Sequence, residues 1–230
     1  MTQDTREDYV LSFYRVRQAL GVLGLAFPFM LIVGGLLADA RIHPSISDYY
    51  HTTLRDLYVG TLFAIGIFLV SYKGHARTPG EPLSDNLAAT LAGIGAFGLA
   101  LFPNHESEFV TFSQQALGAQ WATVMHFSSA ILFLGAMAYF ALGKFARTEN
   151  PHRRRIYRAC GWMILTFGVL ATIASVFRAI GSEPVQRMIV ESGMILWFEA
   201  CGIWAFGVSW LVKGKADIAV LRRLRGAAGG

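Results

Sequence analysis

The residues whose types and spacing could do chemistry are concentrated between positions 41 and 56. This stretch reads Arg-Ile-His-Pro-Ser-Ile-Ser-Asp-Tyr-Tyr-His-Thr-Thr-Leu-Arg-Asp. On a helix that begins near Ser47, the side chains of Asp48, His51 and Arg55 would be spaced three and four residues apart and would share one face. A histidine held by a carboxylate is poised for proton transfer or for metal binding. The alternative is an Asp–His–Arg network that only closes the end of a helix.

Three further ionisable residues lie inside or at the ends of apolar stretches: His126, Arg178 and Glu199. Glu199 is flanked by Trp197 and Trp204, where an ionised carboxylate needs a partner. We expect Arg178, near the end of the preceding apolar stretch, to be that partner. A structural ion pair is one interpretation of Glu199. The others are a proton-transferring acid or base and a carboxylate that binds metal or substrate.

The composition identifies the elements that must position these residues. Of 230 residues, 54% are hydrophobic and only 15% are charged, which is not the composition of a soluble domain of this size. We therefore predict one integral membrane domain over residues 1–230, an all-α transmembrane bundle of six helices. The predicted helices are about 19–38, 50–72, 86–102, 121–143, 159–180 and 193–212, each near the ~17–25 residues that span a bilayer. Small residues at 92–100 predict close packing of the third helix.

Lysine and arginine are distributed unevenly among the segments between these helices. If the N-terminus is cytoplasmic, all of them except Arg41, Arg55, Arg178 and Arg187 fall on the inner side. By the positive-inside rule, both termini are then predicted to be cytoplasmic. The net charge of +5 is a result of this bias, and it indicates contact with anionic lipid headgroups instead of nucleic acid.

With this orientation the ionisable residues fall near the outer ends of their helices. Burying a central charge in hydrocarbon costs at least about 2.5–3.5 kcal/mol, so we expect these side chains to converge on one outward-opening cavity. The candidate catalytic residues are Asp48, Asp56, Glu199 and Arg178. The candidate substrate-binding residues are Ser47, Tyr50 and Arg55, and the candidate metal ligands are His51 and His126.

The segment 45–60, together with Tyr72-Lys73-Gly74, resembles the signature of bacterial six-helix membrane proteins of unknown function. This resemblance implies a multi-pass topology in the bacterial cytoplasmic (inner) membrane and no particular activity. A more remote likeness is to the CREST membrane hydrolases, which use Ser, Asp and His residues on helices to hold zinc and cleave amide or ester bonds in lipids. It implies such roles for Ser47, His51, Asp56 and His126. The late His-x-x-x-His pair of that family has no match in this chain.

Three classes of function remain open from the sequence. The first is a metal-dependent lipid amide or ester hydrolase, in which a zinc ion held by His51 and His126 with Asp56 or Glu199 activates water. The second is a proton- or ion-coupled transporter that uses the same carboxylates, with Arg178 as the counter-charge. The third is a non-catalytic protein that binds membrane lipids or supports an assembly. The expected partners are membrane lipids or a small-molecule substrate.

Overall fold

The computed structural model describes residues 3–74, 77, 80–105 and 110–215, with side chains from Tyr14 onward. All regular secondary structure in these residues is helical. The α-helices of the described residues are α1 (Gln3–Ala38), α2 (Arg55–Val70), α3 (Asp85–Leu101), α4 (Phe112–Leu117), α5 (Ala119–Tyr139), α6 (Pro151–Ile180), α7 (Glu183–Ser192) and α8 (Met194–Lys213).

Four helical segments are long and apolar enough to cross a membrane. They are Tyr14–Ala38 in α1, Ala119–Arg147, Pro151–Ile180 and Met194–Lys213. The segment Ala119–Arg147 includes α5 and the turns that follow it. The apolar helices α2 and α3 are shorter, with 16 and 17 residues. The chain is therefore an all-helical protein with several helices suited to a membrane.

The start of α2 differs from the predicted helix 50–72. Residues Ser47–His51 form a separate 3-10 helix, and the chain is extended at Thr52 before α2 begins at Arg55. The hydroxyl of Thr52 donates to the Tyr49 carbonyl at 2.9 Å and accepts the Leu54 amide at 3.1 Å. Such bonds to neighbouring backbone groups compete with helical hydrogen bonds. The predicted continuous face of Asp48, His51 and Arg55 is therefore wrong.

Other helix boundaries also differ from the predicted ones. Helix α6 begins at Pro151 instead of 159, because the Asn150 side chain accepts the His152 and Arg153 amides as an N-cap. Helix α1 begins at Gln3 instead of 19, and α5 passes into a π-helical turn at Phe140–Lys144. The short helices α4 and α7 have no counterpart among the predicted spans.

The two ends of the helix bundle differ in the contacts that they contain. At one end, Lys144 lies 2.7 Å from Glu81 and 3.0 Å from Asp85, so the turn after α5 is pinned to the start of α3. At this end the fully buried Trp210 also packs against the ring of Tyr72, which follows α2. We call this the opposite end, because it lies across the bundle from the site end. The site end is formed by the last residues of α1, α3 and α6 and the first residues of α2, α5 and α8.

Helices α3 and α5 approach closely through small residues of α3. A Cβ atom added to Gly95 would lie 2.8 Å from the Phe133 amide nitrogen and 2.9 Å from the Ser129 carbonyl oxygen. These are backbone atoms and cannot rotate away. The absence of a side chain at Gly95 is therefore a requirement of this helix pair.

We predict that Gly95→Ala destabilises the protein by about 1–3 kcal/mol, because α3 and α5 must separate to admit the methyl group. Gly135→Ala is the matched control, since a Cβ there meets no atom within 4 Å. Its melting temperature in detergent should stay unchanged or rise slightly. Equal melting temperatures for the two variants would contradict the observed α3–α5 contact.

Candidate functional site

The connection between α1 and α2 lies across the site end and is fastened there by Glu199. One carboxylate oxygen of this residue, Oε2, accepts the Ser45 hydroxyl at 2.9 Å and the Ile46 amide at 2.6 Å. Nearby, the Leu196 amide donates to the Pro44 carbonyl at 2.9 Å. The residues joined by these bonds are about 150 positions apart in the chain. Glu199 therefore holds residues 44–47 against the start of α8.

Ser47 and His126 form a buried hydrogen-bonded pair. The Ser47 Oγ atom lies 3.1 Å from His126 Nε2, and the His126 Nδ1 atom lies 2.8 Å from the Phe102 carbonyl oxygen. A carbonyl oxygen only accepts hydrogen bonds, so Nδ1 carries the proton. In the neutral imidazole, Nε2 is then an acceptor and the Ser47 hydroxyl is the donor. The Tyr58 hydroxyl lies near Ser47 and donates to the Leu99 carbonyl at 3.4 Å.

Asp48 is the ion-pair partner of Arg178. Its carboxylate accepts the Arg178 guanidinium at 2.7 Å and the Asn104 side-chain amide at 2.8 Å. The other polar atom of the Asn104 side chain, Oδ1, lies 3.0 Å from His51 Nε2. The prediction that Arg178 pairs with Glu199 is wrong. The Ser45 hydroxyl and the Ile46 amide bind Glu199 instead. The 3-10 helix Ser47–His51 places Asp48 beside Arg178.

The imidazole rings of His51 and His105 lie side by side, with centroids 4.1 Å apart. Burial lowers the pKa of His51, and the neighbouring His105 lowers it further. Burial also lowers the pKa of His105, an effect that nearby Asp48 partly opposes. Both rings are therefore neutral at pH 7 and act as hydrogen-bonding groups instead of cations.

Two cavities meet at this site. The first, which we call the polar pocket, contains hydroxyl, amide and charged side chains within a lining whose surface is mostly apolar; the polar residues include Ser45, Asn104, His105, Thr123, Ser175 and Arg178. The narrow apolar cavity runs into the bundle and is lined by residues that include Phe27, Leu62, Ile65, Phe133, Gly202 and Phe206. Ser47 and Glu199 line both cavities. These two residues therefore lie at the boundary between the polar pocket and the apolar cavity.

Six of the nine candidate residues line neither of these two cavities: Asp48, Tyr50, His51, Arg55, Asp56 and His126. Asp48 and His51 line a separate open pocket with His105 and Arg178. Asp56 is exposed on the first turn of α2 and lines neither cavity. The Tyr50 hydroxyl donates to the Leu101 carbonyl at 3.3 Å and accepts a hydrogen bond from the Arg55 guanidinium. The guanidinium carbon of Arg55 also lies 4.6 Å from the centre of the Tyr50 ring. Tyr50 and Arg55 thus link the start of α2 to the end of α3. The prediction that Asp56 lies in a shared cavity is wrong, because its side chain points outwards from the first turn of α2.

The donor atoms at the site do not fit the expected zinc ion. Both ring nitrogens of His126 are engaged, by Ser47 and by the Phe102 carbonyl, and His51 Nε2 is engaged by Asn104. Across the described parts of the chain, no three His, Cys, Asp or Glu residues are grouped so that they could hold a metal ion. The assignment of His51 and His126 as joint metal ligands therefore has no support from the geometry.

Several residues of the site were not among the sequence candidates. Asn104 joins Asp48 to His51, the His105 ring lies tilted against the His51 ring, and Ser45 links Glu199 to the Ser47 amide. Asn104 follows Pro103, a pair that marks the end of a helix in the sequence and carries no sign of its contacts. Ser45 could have been noticed only as one of two serines after Pro44.

No protein-family model, curated protein or solved structure matches this chain.

We predict that Arg178→Ala lowers the free energy of unfolding by about 1–3 kcal/mol, because it leaves the buried Asp48 carboxylate without its cation. Arg187→Ala is the matched control. It removes an arginine from a pair of the same chemistry with Glu183, but both side chains of that pair are mainly exposed. The control should be nearly neutral in thermal unfolding in detergent. Equal losses in the two variants would contradict the importance of the Asp48–Arg178 pair.

We also predict a loss of stability as the pH falls below about 6.5. The pKa of His51 is lowered in the folded protein, so the unfolded chain binds a proton first as the pH falls through the ordinary histidine value of 6.5. The stabilisation is complete above that value and is lost below it. His51→Gln should reduce the slope of melting temperature against pH, whereas His152→Gln, at an exposed residue, should not. An unchanged slope in His51→Gln would refute this assignment.

Proposed function

We propose that this chain crosses the membrane six times, through α1, α2, α3, α5 with its following turns, α6 and α8. The opposite end, with Lys144, Arg147 and the run Arg153-Arg154-Arg155, then faces the cytoplasm, and the site end faces outwards. Both termini are cytoplasmic in this arrangement. The excess of basic residues at the opposite end supports it. The bacterial cytoplasmic membrane is the proposed location.

We further propose that the protein binds an amphipathic membrane lipid at the outer side. The observation that carries this proposal is that Ser47 and Glu199 line both the polar pocket and the apolar cavity, so the two cavities adjoin. A ligand that occupies both cavities must be polar at one end and apolar at the other. In a membrane, lipids are the abundant molecules of this kind, and their headgroups lie at the depth of helix ends.

The polar pocket supplies groups suited to a lipid headgroup. Arg178 reaches it with a side chain that is 29% exposed and is held by Asp48, so its position is set before a ligand arrives. The hydroxyls of Thr123 and Ser175 line the same pocket from α5 and α6. A guanidinium and several hydroxyls are suited to phosphate and glycerol oxygens.

The hydrogen bonds at the site favour lipid binding over the other two function classes. Among the described residues, no group of donors fits the metal of a zinc-dependent hydrolase. A transporter that uses Glu199 as its carrier would have to break the bonds to Ser45 and Ile46 in every cycle. It would also need a route past Leu62, Ile65, Phe133 and Phe206, which line the inner part of the apolar cavity.

We predict that the full-length protein, purified in mild detergent and placed in nanodiscs, binds a fluorescent diacyl phospholipid with saturation. Gly202→Leu should weaken this binding about tenfold or more, because the new side chain fills the apolar cavity, a loss of about 1.4 kcal/mol. Gly202→Ala is the matched control. Its Cβ would meet only the Phe167 Cβ atom at 4.0 Å, so it should bind within about threefold of wild type.

Two results would contradict the proposed function. One is equal affinity of wild type and Gly202→Leu for the phospholipid. The other is the absence of saturable binding in wild-type protein that retains its melting transition.

A further inference from the structure

The Ser47–His126 pair has the arrangement of an activated nucleophile, and it lies at the site proposed above for lipid binding. We propose that Ser47 is the nucleophile and His126 the general base of an ester hydrolase that acts on the bound lipid. This inference rests on the proposed lipid-binding function. It adds an activity to that site, and the activity does not require a metal.

The geometry of His126 suits a general base. Its Nε2 atom is 3.1 Å from Ser47 Oγ, within the ~2.6–3.2 Å expected between a nucleophile and its base. The bond from Nδ1 to the Phe102 carbonyl, at 2.8 Å, fixes the tautomer that leaves Nε2 free of its proton. In a catalytic triad a carboxylate has this orienting role. Here a backbone carbonyl at the end of α3 takes it.

The position of Ser47 suits the ester group of a lipid. In a glycerolipid, the ester carbonyl lies where the acyl chain joins the polar headgroup. Ser47 lies where the apolar cavity joins the polar pocket, so a lipid that fills both would bring its carbonyl to the Ser47 hydroxyl. The serine is also held firmly. Its amide donates to Ser45 Oγ at 2.9 Å, and the Ser45 hydroxyl donates to Glu199.

The reaction follows from these positions. Ser47 Oγ attacks the ester carbonyl carbon while its proton moves to His126 Nε2, and the carbonyl π electrons move onto oxygen. In this step the Tyr58 hydroxyl leaves its 3.4 Å bond to the Leu99 carbonyl and donates to the oxyanion. Collapse of the tetrahedral intermediate breaks the ester C–O bond, and the departing alcohol takes the proton from His126. The acyl group is then attached to Ser47 Oγ.

Water completes the cycle. His126 Nε2 removes a proton from a water molecule as its oxygen attacks the acyl carbon. The second intermediate then collapses, and the proton returns to Ser47 Oγ. The products are a fatty acid and a lysolipid or alcohol, and the enzyme is regenerated. The polar pocket is the route by which water reaches the acyl group.

The test uses a long-chain alkyl fluorophosphonate, which forms a covalent bond only with an activated serine. The full-length protein in nanodiscs is treated with this probe, and the modified residue is located by mass spectrometry. We expect one adduct per chain, on Ser47. His126→Gln should slow the labelling at least about 100-fold. Ser113→Ala, which removes an outer-side serine of α4 that lines neither cavity, should label at the wild-type rate.

The same samples are assayed for release of fatty acid from the bound phospholipid. Ser47→Ala should reduce release to background, because it removes the nucleophile. Because the adduct is located in wild-type protein, the test does not depend on the folding of any variant. Saturable lipid binding without an adduct on Ser47 and without release would overturn the hydrolase inference and leave lipid binding intact. A lack of lipid binding in folded wild type would instead overturn the proposed function.

Discussion

The arrangement of the site depends on how the chain satisfies one carboxylate in an apolar helix. Glu199 lies on the second turn of α8, where loss of water must be offset by hydrogen bonds. The Ser45 hydroxyl and the Ile46 amide provide them. These two bonds also fix the direction of the residues that follow. Ser47 then faces His126 on α5, and Asp48 faces Arg178 on α6. The same two bonds thus set both the serine–histidine pair and the ion pair.

The two ends of the bundle serve different purposes. At the opposite end, ionic and aromatic contacts are tightly matched: Lys144 bridges Glu81 and Asp85, and Trp210 is fully enclosed. At the site end, side chains are linked in small groups across several elements, and cavities remain between them. A firmly packed opposite end with close α3–α5 contact can hold such an open site end in place. This division is what a binding or catalytic site requires of its scaffold.

Much of the helical architecture could be predicted from apolar runs, and the ionisable residues in or beside those runs include Asp48, His126, Arg178 and Glu199. Their pairing could not be predicted. It depends on the extended residue Thr52, which separates the 3-10 helix from α2 and turns Asp56 outwards. It also depends on backbone groups, the Ile46 amide and the Phe102 carbonyl, which have no mark in a sequence. From charge and depth in the membrane alone, Arg178 is the expected ion-pair partner of Glu199. In the structure, the turn instead brings the Asp48 carboxylate to Arg178.

The most direct test of this account is a structure of the protein in nanodiscs, determined by electron cryo-microscopy with a non-hydrolysable ether or phosphonate lipid bound. The account predicts continuous lipid density that passes Ser47, with the headgroup beside Arg178 and the chain between Phe133 and Gly202. The atom that replaces the ester carbonyl should lie within about 3.5 Å of Ser47 Oγ. Lipid density confined to the outer surfaces of the helices, with both cavities free of lipid at saturating concentration, would contradict it.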